Sequence, residues 1–370
     1  MIPVCEPTLK GNEIKYVTDA IKSNWISSSG KYIEKFEQGF SEYCGVRHGV
    51  SCCNGTAAIH LALEALGIGR GDEVVVPTFS MIATANAVVY SGARPVLVDS
   101  ELDTWNIDPN SIEEKITKRT KAIMVVHTYG HPADMDRVNK IADEHGIAVI
   151  EDAAEAHGAE YKGKKAGSLS DVACFSFYAN KIITTGEGGM LVTDDKKTAD
   201  RAKYLRNHAF TEKRFLHKDL GFNYRFTNLQ AAVGMAQLER IDDLVNARIN
   251  NAHLYNRLLG HVRGVQTPPC AYWAKNVYWM YSILIGKEFG LSRDMVMARL
   301  QEKGVETRPF FVPMHRQPVY RKKDERFPSM TGNYKNADYL AKHGLYLPSS
   351  SSLSKNTIEE VCKTLISLKG

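Results

Sequence analysis

From residue 46 to about 240, short apolar, β-branched runs alternate with segments whose apolar residues fall at helical spacing. The runs are HGVSCC (48–53), EVVVPT (73–78), PVLVDS (95–100), AIMVVHTY (122–129), IAVIEDA (147–153), VACFSFY (172–178) and GMLVTDD (189–195). Between them lie TAAIHLALEALG (56–67), MIATANAVVYSG (81–92), DPNSIEEKIT (108–117), DMDRVNKIADEHG (134–146) and TADRAKYLRNHA (198–209), several ending in Gly. Alternating strands and helices predict an α/β domain with a largely parallel sheet. Near-continuous apolar strands predict that both faces of the sheet are covered.

The pattern changes after residue 228. NLQAAVGMAQLERIDDLVNARINNAHLYNRLLG (228–260) predicts one long helix leading out of the sheet domain. Beyond VQTPPCAYW (265–273), VYWMYSILIG (277–286) and VETRPFF (305–311) read as strands, with helices at SRDMVMARLQEKG (292–304) and near the C-terminus. This places a large α/β domain over residues 1–249 and a smaller α+β domain over 250–370. The serines of LPSSSSLSKN (347–356) are expected to form a loop and cap the final helix.

Composition narrows the function classes. With 370 residues, the chain suits a large domain with a smaller one attached, and 44% hydrophobic and 24% charged residues are ordinary for a globular protein. No run of ~20 apolar residues offers a membrane-spanning helix. MIPVCEPTLKGNEIKYV lacks the charged and then apolar regions of a signal peptide, so a cytoplasmic protein is expected. The net charge of +5 is spread along the chain without a basic block, so neither nucleic acid nor membrane is an expected partner. The seven cysteines contain no C-x-x-C pair and read as small packing side chains. His127 and His131 are four apart, but Gly130 and Pro132 break the helix a two-histidine metal site needs, so no metal is expected.

Parallel strands deliver their C-terminal ends, and the N-termini of the following helices, to one crevice where ligands bind. Three features sit there. Gly55-Thr56-Ala57 opens a helix with free backbone N–H groups and a hydroxyl, which suits a phosphate and equally an ordinary helix cap. Asp152 ends an apolar strand, either as a cap or ion-pair residue or as an acid awaiting a cationic ligand, with Glu155 one turn on. Lys181 follows Ser176 among aromatic and β-branched neighbours; it either snorkels to water or stays desolvated as a nucleophilic amine able to form a Schiff base. GIGRGD (67–72) follows a helix and lacks dinucleotide-binding spacing. A phosphate cradle, an acid for a cationic ring nitrogen and a Schiff-base lysine are together what pyridoxal 5'-phosphate requires.

The stretches NGTAAIHLAL, EDAAEAHGAEYKGKKAGSLSDVACFSFYANKIITTGEGGM and GFNYRFTNLQAA resemble the DegT/DnrJ/EryC1/StrS family of sugar aminotransferases, in order through most of the chain. The resemblance implies the fold type I architecture of aspartate aminotransferase. It makes Lys181 the residue that holds pyridoxal phosphate and carries a proton, and Asp152 the partner of the ring nitrogen. Glu155 falls on the side of the ring's 3-hydroxyl. Gly55, Thr56, Ala57 and Ser176 fall at the phosphate. Asn223 would reach that phosphate from a neighbouring subunit, implying a homodimer with the active site at its interface. Met81 stands where many members stack an aromatic residue on the ring. Trp25, Ser28, Arg308, His315 and Tyr320 are implied at the substrate. The branch resembled most uses L-glutamate to aminate C4 of GDP-4-keto-6-deoxymannose, giving perosamine for O-antigen or another glycosylated product, although RNHAF (206–210) departs from its pattern. A dTDP- or UDP-linked keto sugar is the alternative substrate. A non-catalytic regulatory protein on the same fold is the remote one, which the intact Lys181, Asp152 and Ser176 oppose.

Overall fold

The computed structural model describes residues 1–369 apart from Arg214 and Met330. The seven apolar runs all form strands of one sheet: β1 (His48–Cys52), β2 (Glu73–Pro77), β3 (Arg94–Val98), β4 (Thr120–Val126), β5 (Ala148–Asp152), β8 (Val172–Ser176) and β9 (Gly189–Thr193). The short strands β6 (Glu160–Tyr161) and β7 (Lys164–Lys165) make a ribbon between β5 and β8. The order across the main sheet is β1-β9-β8-β5-β4-β2-β3. Pairing is parallel from β8 to β3, and β9 runs antiparallel to both its neighbours. Every residue of β2 and of β9 is buried, as expected of strands covered on both faces.

The covering helices are α1 (Glu13–Lys22), α2 (Lys31–Cys44), α3 (Gly55–Ala65), α4 (Ala83–Tyr90), α5 (Met135–His145) and α6 (Lys196–Arg206). Helix α3 is buried at every position from Ala57 to Leu63, because it lies on β8 and β9 with α4 and α6 against it. That explains its mainly small and aliphatic composition; the one polar side chain in that stretch, His60, meets the Tyr224 hydroxyl (3.1 Å).

Two helical expectations are corrected. Residues 108–117 form two 3₁₀ turns, Pro109–Ser111 and Glu113–Lys115, instead of an α-helix. Asp108 caps the first turn, and Ile112 is the one buried residue between 110 and 116, so no apolar stripe anchors a longer helix. The segment 228–260 is two helices, α7 (Asn228–Leu238) and α8 (Ile241–Leu259). At the break, the Glu239 carboxylate accepts hydrogen bonds from Asn12 (2.8 Å) and from the Tyr16 hydroxyl, both of the N-terminal segment. Tertiary contacts thus override a continuous helical pattern. Helix α7 packs on α1 and α2, while α8 runs on to the C-terminal region.

There β10 (Val265–Gln266), β12 (Tyr281–Ile285), β13 (Arg308–Pro309) and β14 (Gly344–Leu347) form an antiparallel sheet of order β10-β12-β14-β13, and β11 (Ala274–Lys275) joins the β6–β7 ribbon. Of the run 305–311, Arg308–Pro309 joins this sheet, and Val305 makes an isolated parallel bridge with Ile2. Helices α9 (Arg293–Glu302), α10 (Lys335–His343) and α11 (Lys355–Ile366) complete it, and the Ser354 hydroxyl caps α11 by accepting from Thr357 N–H (3.1 Å). A second apolar cluster gathers Ala252, Tyr255 and Leu259 with Tyr281, Ile283, Leu345 and Ile358, whereas Ile241, Leu244 and Val245 belong to the main core. Helix α8 therefore contributes to both. The C-terminal segment also docks on the strand ends of the main sheet: Met314 N–H donates to Thr78 O (2.7 Å), and the Asp99 carboxylate accepts from the N–H groups of Asn336 (3.0 Å) and Ala337 (2.9 Å) at the start of α10. No helix among the described residues is long and apolar enough to cross a membrane.

Candidate active site

The C-terminal ends of β4, β5 and β8 and the N-terminus of α3 open onto a cleft of about 670 Å³. Its lining includes Gly55, Thr56, Ala57, Met81, Asp152, Glu155, Ser176 and Lys181. Eight of the residues singled out from the sequence therefore share one cavity.

Lys181 follows the β8 strand and a turn in which its own N–H donates to Tyr178 O (2.9 Å). Its side chain is 10% exposed, with Nζ 3.9 Å from Glu155 Oε1 and 3.6 Å from the centroid of the Trp279 indole. Burial pushes the amine below the ordinary lysine range; the Glu155 and Asp152 carboxylates oppose that shift. The same burial lifts Glu155, and the lysine charge opposes it. Glu155 is held from the other side by the Tyr129 N–H (2.8 Å). Tyr129 itself takes a left-handed backbone (φ 54°), rare for a residue with a side chain.

Asp152 is buried at the end of β5. Thr84 Oγ1 donates to its Oδ2 (2.8 Å) and Ala154 N–H to its Oδ1 (3.3 Å). Both donors are neutral. Burial accordingly raises the carboxyl, with these bonds and Lys181 acting against the rise. A cationic ring nitrogen is the kind of partner this acid lacks.

At the start of α3, the Asn54 side chain accepts the Ala57 N–H (2.8 Å) and so acts as N-cap. Gly55 approaches β8 so closely that a Cβ there would lie 2.8 Å from Ser176 Cβ. Gly189 is equally constrained, since its Cβ would meet Asn54 O at 2.3 Å. The two glycines let the helix start pack directly on Ser176 and β9, so that backbone N–H groups and the hydroxyls of Thr56 and Ser176 edge the cleft, donors that suit a phosphate. A desolvated amine, a buried acid with no ion pair among the described residues and these donors fit pyridoxal phosphate in their chemistry.

The other sequence-derived residues lie elsewhere in the chain. Asn223 is exposed, with its Oδ1 accepting from the Arg225 guanidinium (2.8 Å). Trp25 is 58% exposed. Ser28 edges a separate cleft of about 310 Å³ with Lys203, Arg206 and Arg225. His315 is buried between Thr78 (2.8 Å) and Asp338 (3.0 Å), Tyr320 donates to Asn86 (2.6 Å), and Arg308 pairs with Glu306 (2.5 Å). The histidines of HTYGHP are structural: His127 Nε2 meets the buried Glu151 carboxylate (2.9 Å), and His131 contacts Pro132 O (2.7 Å) and accepts the Ala271 N–H (3.0 Å). All seven cysteines are free thiols.

Sequence reasoning missed Thr84, Trp279, Phe311 and Tyr346. Thr84 lies within a helix already recognised, three residues past Met81, and helical spacing could have brought it to the same edge. The other three come from the C-terminal region, and no local signal marks them.

Residues 7–366 match the DegT/DnrJ/EryC1/StrS aminotransferase family. The chain is 46% identical over 366 residues to the GDP-perosamine synthase of Caulobacter vibrioides, covering 98% of this chain and 97% of that protein. It is 43% identical to the GDP-perosamine synthase of Escherichia coli O157:H7, at 98% and 97% coverage. Among solved structures, S. venezuelae DesV in complex with a ketimine intermediate superposes with a TM-score of 0.90 at 35% identity, covering 96% of this chain and 94% of that one. The PLP-form of the putative sugar aminotransferase Spr1654 from Streptococcus pneumoniae gives a TM-score of 0.92 at 26% identity, covering 100% and 98%.

Proposed function

Because the chain belongs to the DegT/DnrJ/EryC1/StrS aminotransferase family, we propose that it uses pyridoxal phosphate to move an amino group from L-glutamate to C4 of GDP-4-keto-6-deoxymannose, giving GDP-perosamine. The observation that carries this reading is the cleft itself, where a desolvated lysine amine and a buried carboxylate hydrogen-bonded by neutral donors face a helix N-terminus. The near-full-length similarity to two GDP-perosamine synthases supports the choice of sugar nucleotide.

The cofactor supplies a protonated ring that draws electrons from a carbon losing its proton. The chain's own residues do the rest. Asp152 holds a proton on the ring nitrogen, and Thr84 fixes the carboxylate that does so. The N–H groups of Gly55 and Thr56 and the hydroxyls of Thr56 and Ser176 would take the phosphate, with Ala57, whose own N–H is held by Asn54, lining the site. Glu155 and Met81 line the same cleft and would flank the ring, Glu155 as an acid beside its hydroxyl and Met81 with a thioether able to pack on a π face. Lys181 would hold the cofactor through its amine and, when that amine is free, would carry the proton between the glutamate α-carbon and C4 of the sugar. Asn223 completes the phosphate site from a second subunit of a homodimer, and the sugar nucleotide lies near Trp25, Ser28, Arg308, His315 and Tyr320.

The test is the absorbance spectrum of the purified protein before and after glutamate. A visible band that moves to shorter wavelength on adding glutamate is expected. A protein that stays colourless after incubation with pyridoxal phosphate overturns the reading. GDP-4-keto-6-deoxymannose assayed beside its dTDP- and UDP-linked counterparts then tests the nucleotide; equal turnover of all three overturns the GDP preference.

A further inference from the structure

Trp279 is the residue of the C-terminal region that approaches Lys181 most directly, and the described contacts fix its ring tightly. The indole Nε1–H donates to the carbonyl of Asn180 (2.9 Å), the residue just before the lysine. The Trp279 carbonyl accepts from the buried Arg248 guanidinium (2.5 Å), and the ring lies at 25° to that of Tyr129 with centroids 6.4 Å apart. Trp279 is 4% exposed, so little water competes for its face. Over that face sits Lys181 Nζ, 3.6 Å from the ring centroid, closer than the 3.9 Å to Glu155.

We propose that Trp279 is the positioning residue for the free Lys181 amine: its indole face holds that group as an ammonium beside Glu155 whenever the lysine is not bound to an aldehyde. This rests on the aminotransferase reading above, in which Lys181 must be released and must return within each cycle. A flexible four-carbon stem freed in a cleft of this size has many places to go. The ring quadrupole attracts a cation over its face, and more strongly where water is excluded. The Nε1–H bond to Asn180 O ties the platform to the lysine's own backbone, so the two move together. The aromatic surface also comes from a different part of the chain than Asp152, Glu155 and Ser176, which makes the docking of the C-terminal region a condition for holding the amine.

The ionisable groups around the amine are Asp152 at the end of β5, Glu155 beyond it, Cys5 of the N-terminal segment and Arg248 of α8, with His157 nearby held neutral by burial. Replacing the ring leaves all of them in place. A ring that stabilises the ammonium, once removed, makes Lys181 harder to protonate. A ring that merely shields the amine, once removed, admits water and makes it easier. The two roles have opposite signs.

The experiment uses the full chain stripped of cofactor. Acetic anhydride modification of Lys181 is followed by peptide mass spectrometry as a function of pH, for the wild type, Trp279→Leu and Trp279→Phe, with thermal unfolding as the folding control. The proposal expects the midpoint of reactivity to fall by about 0.5–1.5 pH units in Trp279→Leu and by less in Trp279→Phe, whose ring attracts cations more weakly. An unchanged midpoint, or one that rises towards that of an exposed lysine, overturns it. If Trp279→Leu does not fold, Trp279→Phe carries the same test with the smaller fall. Neither substrate nor cofactor enters this measurement, so its failure is separate from a failure of the aminotransferase reading, which the absorbance spectrum decides.

Discussion

Asp152 is buried with two neutral hydrogen-bond donors, and a carboxylate so placed costs the folded chain free energy until a cation arrives. Asp152→Asn should therefore leave the cofactor-free protein at least as stable as the wild type in urea unfolding, while turnover falls by 100-fold or more because an amide cannot keep the ring nitrogen charged. Large destabilisation with activity retained would make Asp152 a structural residue. Lys181→Ala should keep pyridoxal phosphate binding within about tenfold, read by equilibrium dialysis, while amino transfer falls by about 10³-fold or more through loss of the proton carrier. Near-normal turnover would sink the lysine's assigned role. Both residues stand out in the sequence because a charge sits where apolar neighbours leave no solvated surface. Thr84 and Trp279 do not stand out, since a threonine in a helix and a tryptophan before a strand are ordinary until the fold brings them to Asp152 and Lys181. The left-handed backbone of Tyr129, whose N–H donates to Glu155, is equally invisible, because nothing in HTYG demands a left-handed tyrosine.

Helix α3 shows how an element makes a site. Its N-terminus is free to receive an anion because Gly55 lets it approach Ser176 without a side chain between them. Gly55→Ala places a Cβ 2.8 Å from Ser176 Cβ, and either the helix start or β8 must shift. The expected result is cofactor affinity weakened by about tenfold or more, measured by equilibrium dialysis, with the far-ultraviolet circular dichroism spectrum unchanged. Unaltered affinity would show that this helix start does not hold the phosphate. The seven strands of the main sheet are legible because burial on both faces, complete in β2 and β9 and nearly so in most of the others, leaves mainly apolar runs. The 228–260 segment was misread as one helix for a physical reason: its apolar spacing continues through Glu239 and Arg240, and only the hydrogen bonds to Asn12 and Tyr16 mark the break. In 108–117 the helical spacing was real in the sequence, but the fold buries only Ile112 between 110 and 116. Periodicity reports what a segment could bury, and the neighbouring elements decide what it does bury.

At the scale of the whole molecule, the interior holds two histidines that burial keeps neutral, and this makes the folding equilibrium sensitive to acid. His131 is pushed down to about 4 and His157 to about 3. His157 lies among Phe40, Phe175 and Phe177, and neither of its ring nitrogens finds a well-aligned hydrogen-bond partner among the described residues. In the unfolded chain a histidine titrates near 6.5. Because the folded value is depressed, the unfolded chain takes up the proton first as pH falls. The contribution of each group to stability is therefore complete above about pH 6.5 and declines below it, until the folded group also titrates near 3 or 4. At pH 5, about 1.5 units below the unfolded value, each histidine has withdrawn roughly 2 kcal/mol, a large share of a typical net stability. His157→Leu removes one of the two titrating sites while keeping an apolar side chain among the three phenylalanines. The comparison is of slopes, which an offset in stability at neutral pH does not affect: between pH 7.5 and 5 the variant should lose about 2 kcal/mol less than the wild type in urea unfolding of the cofactor-free protein. Parallel losses in the two proteins would mean that the folded interior admits the His157 proton after all, and that the acid response is carried by other groups.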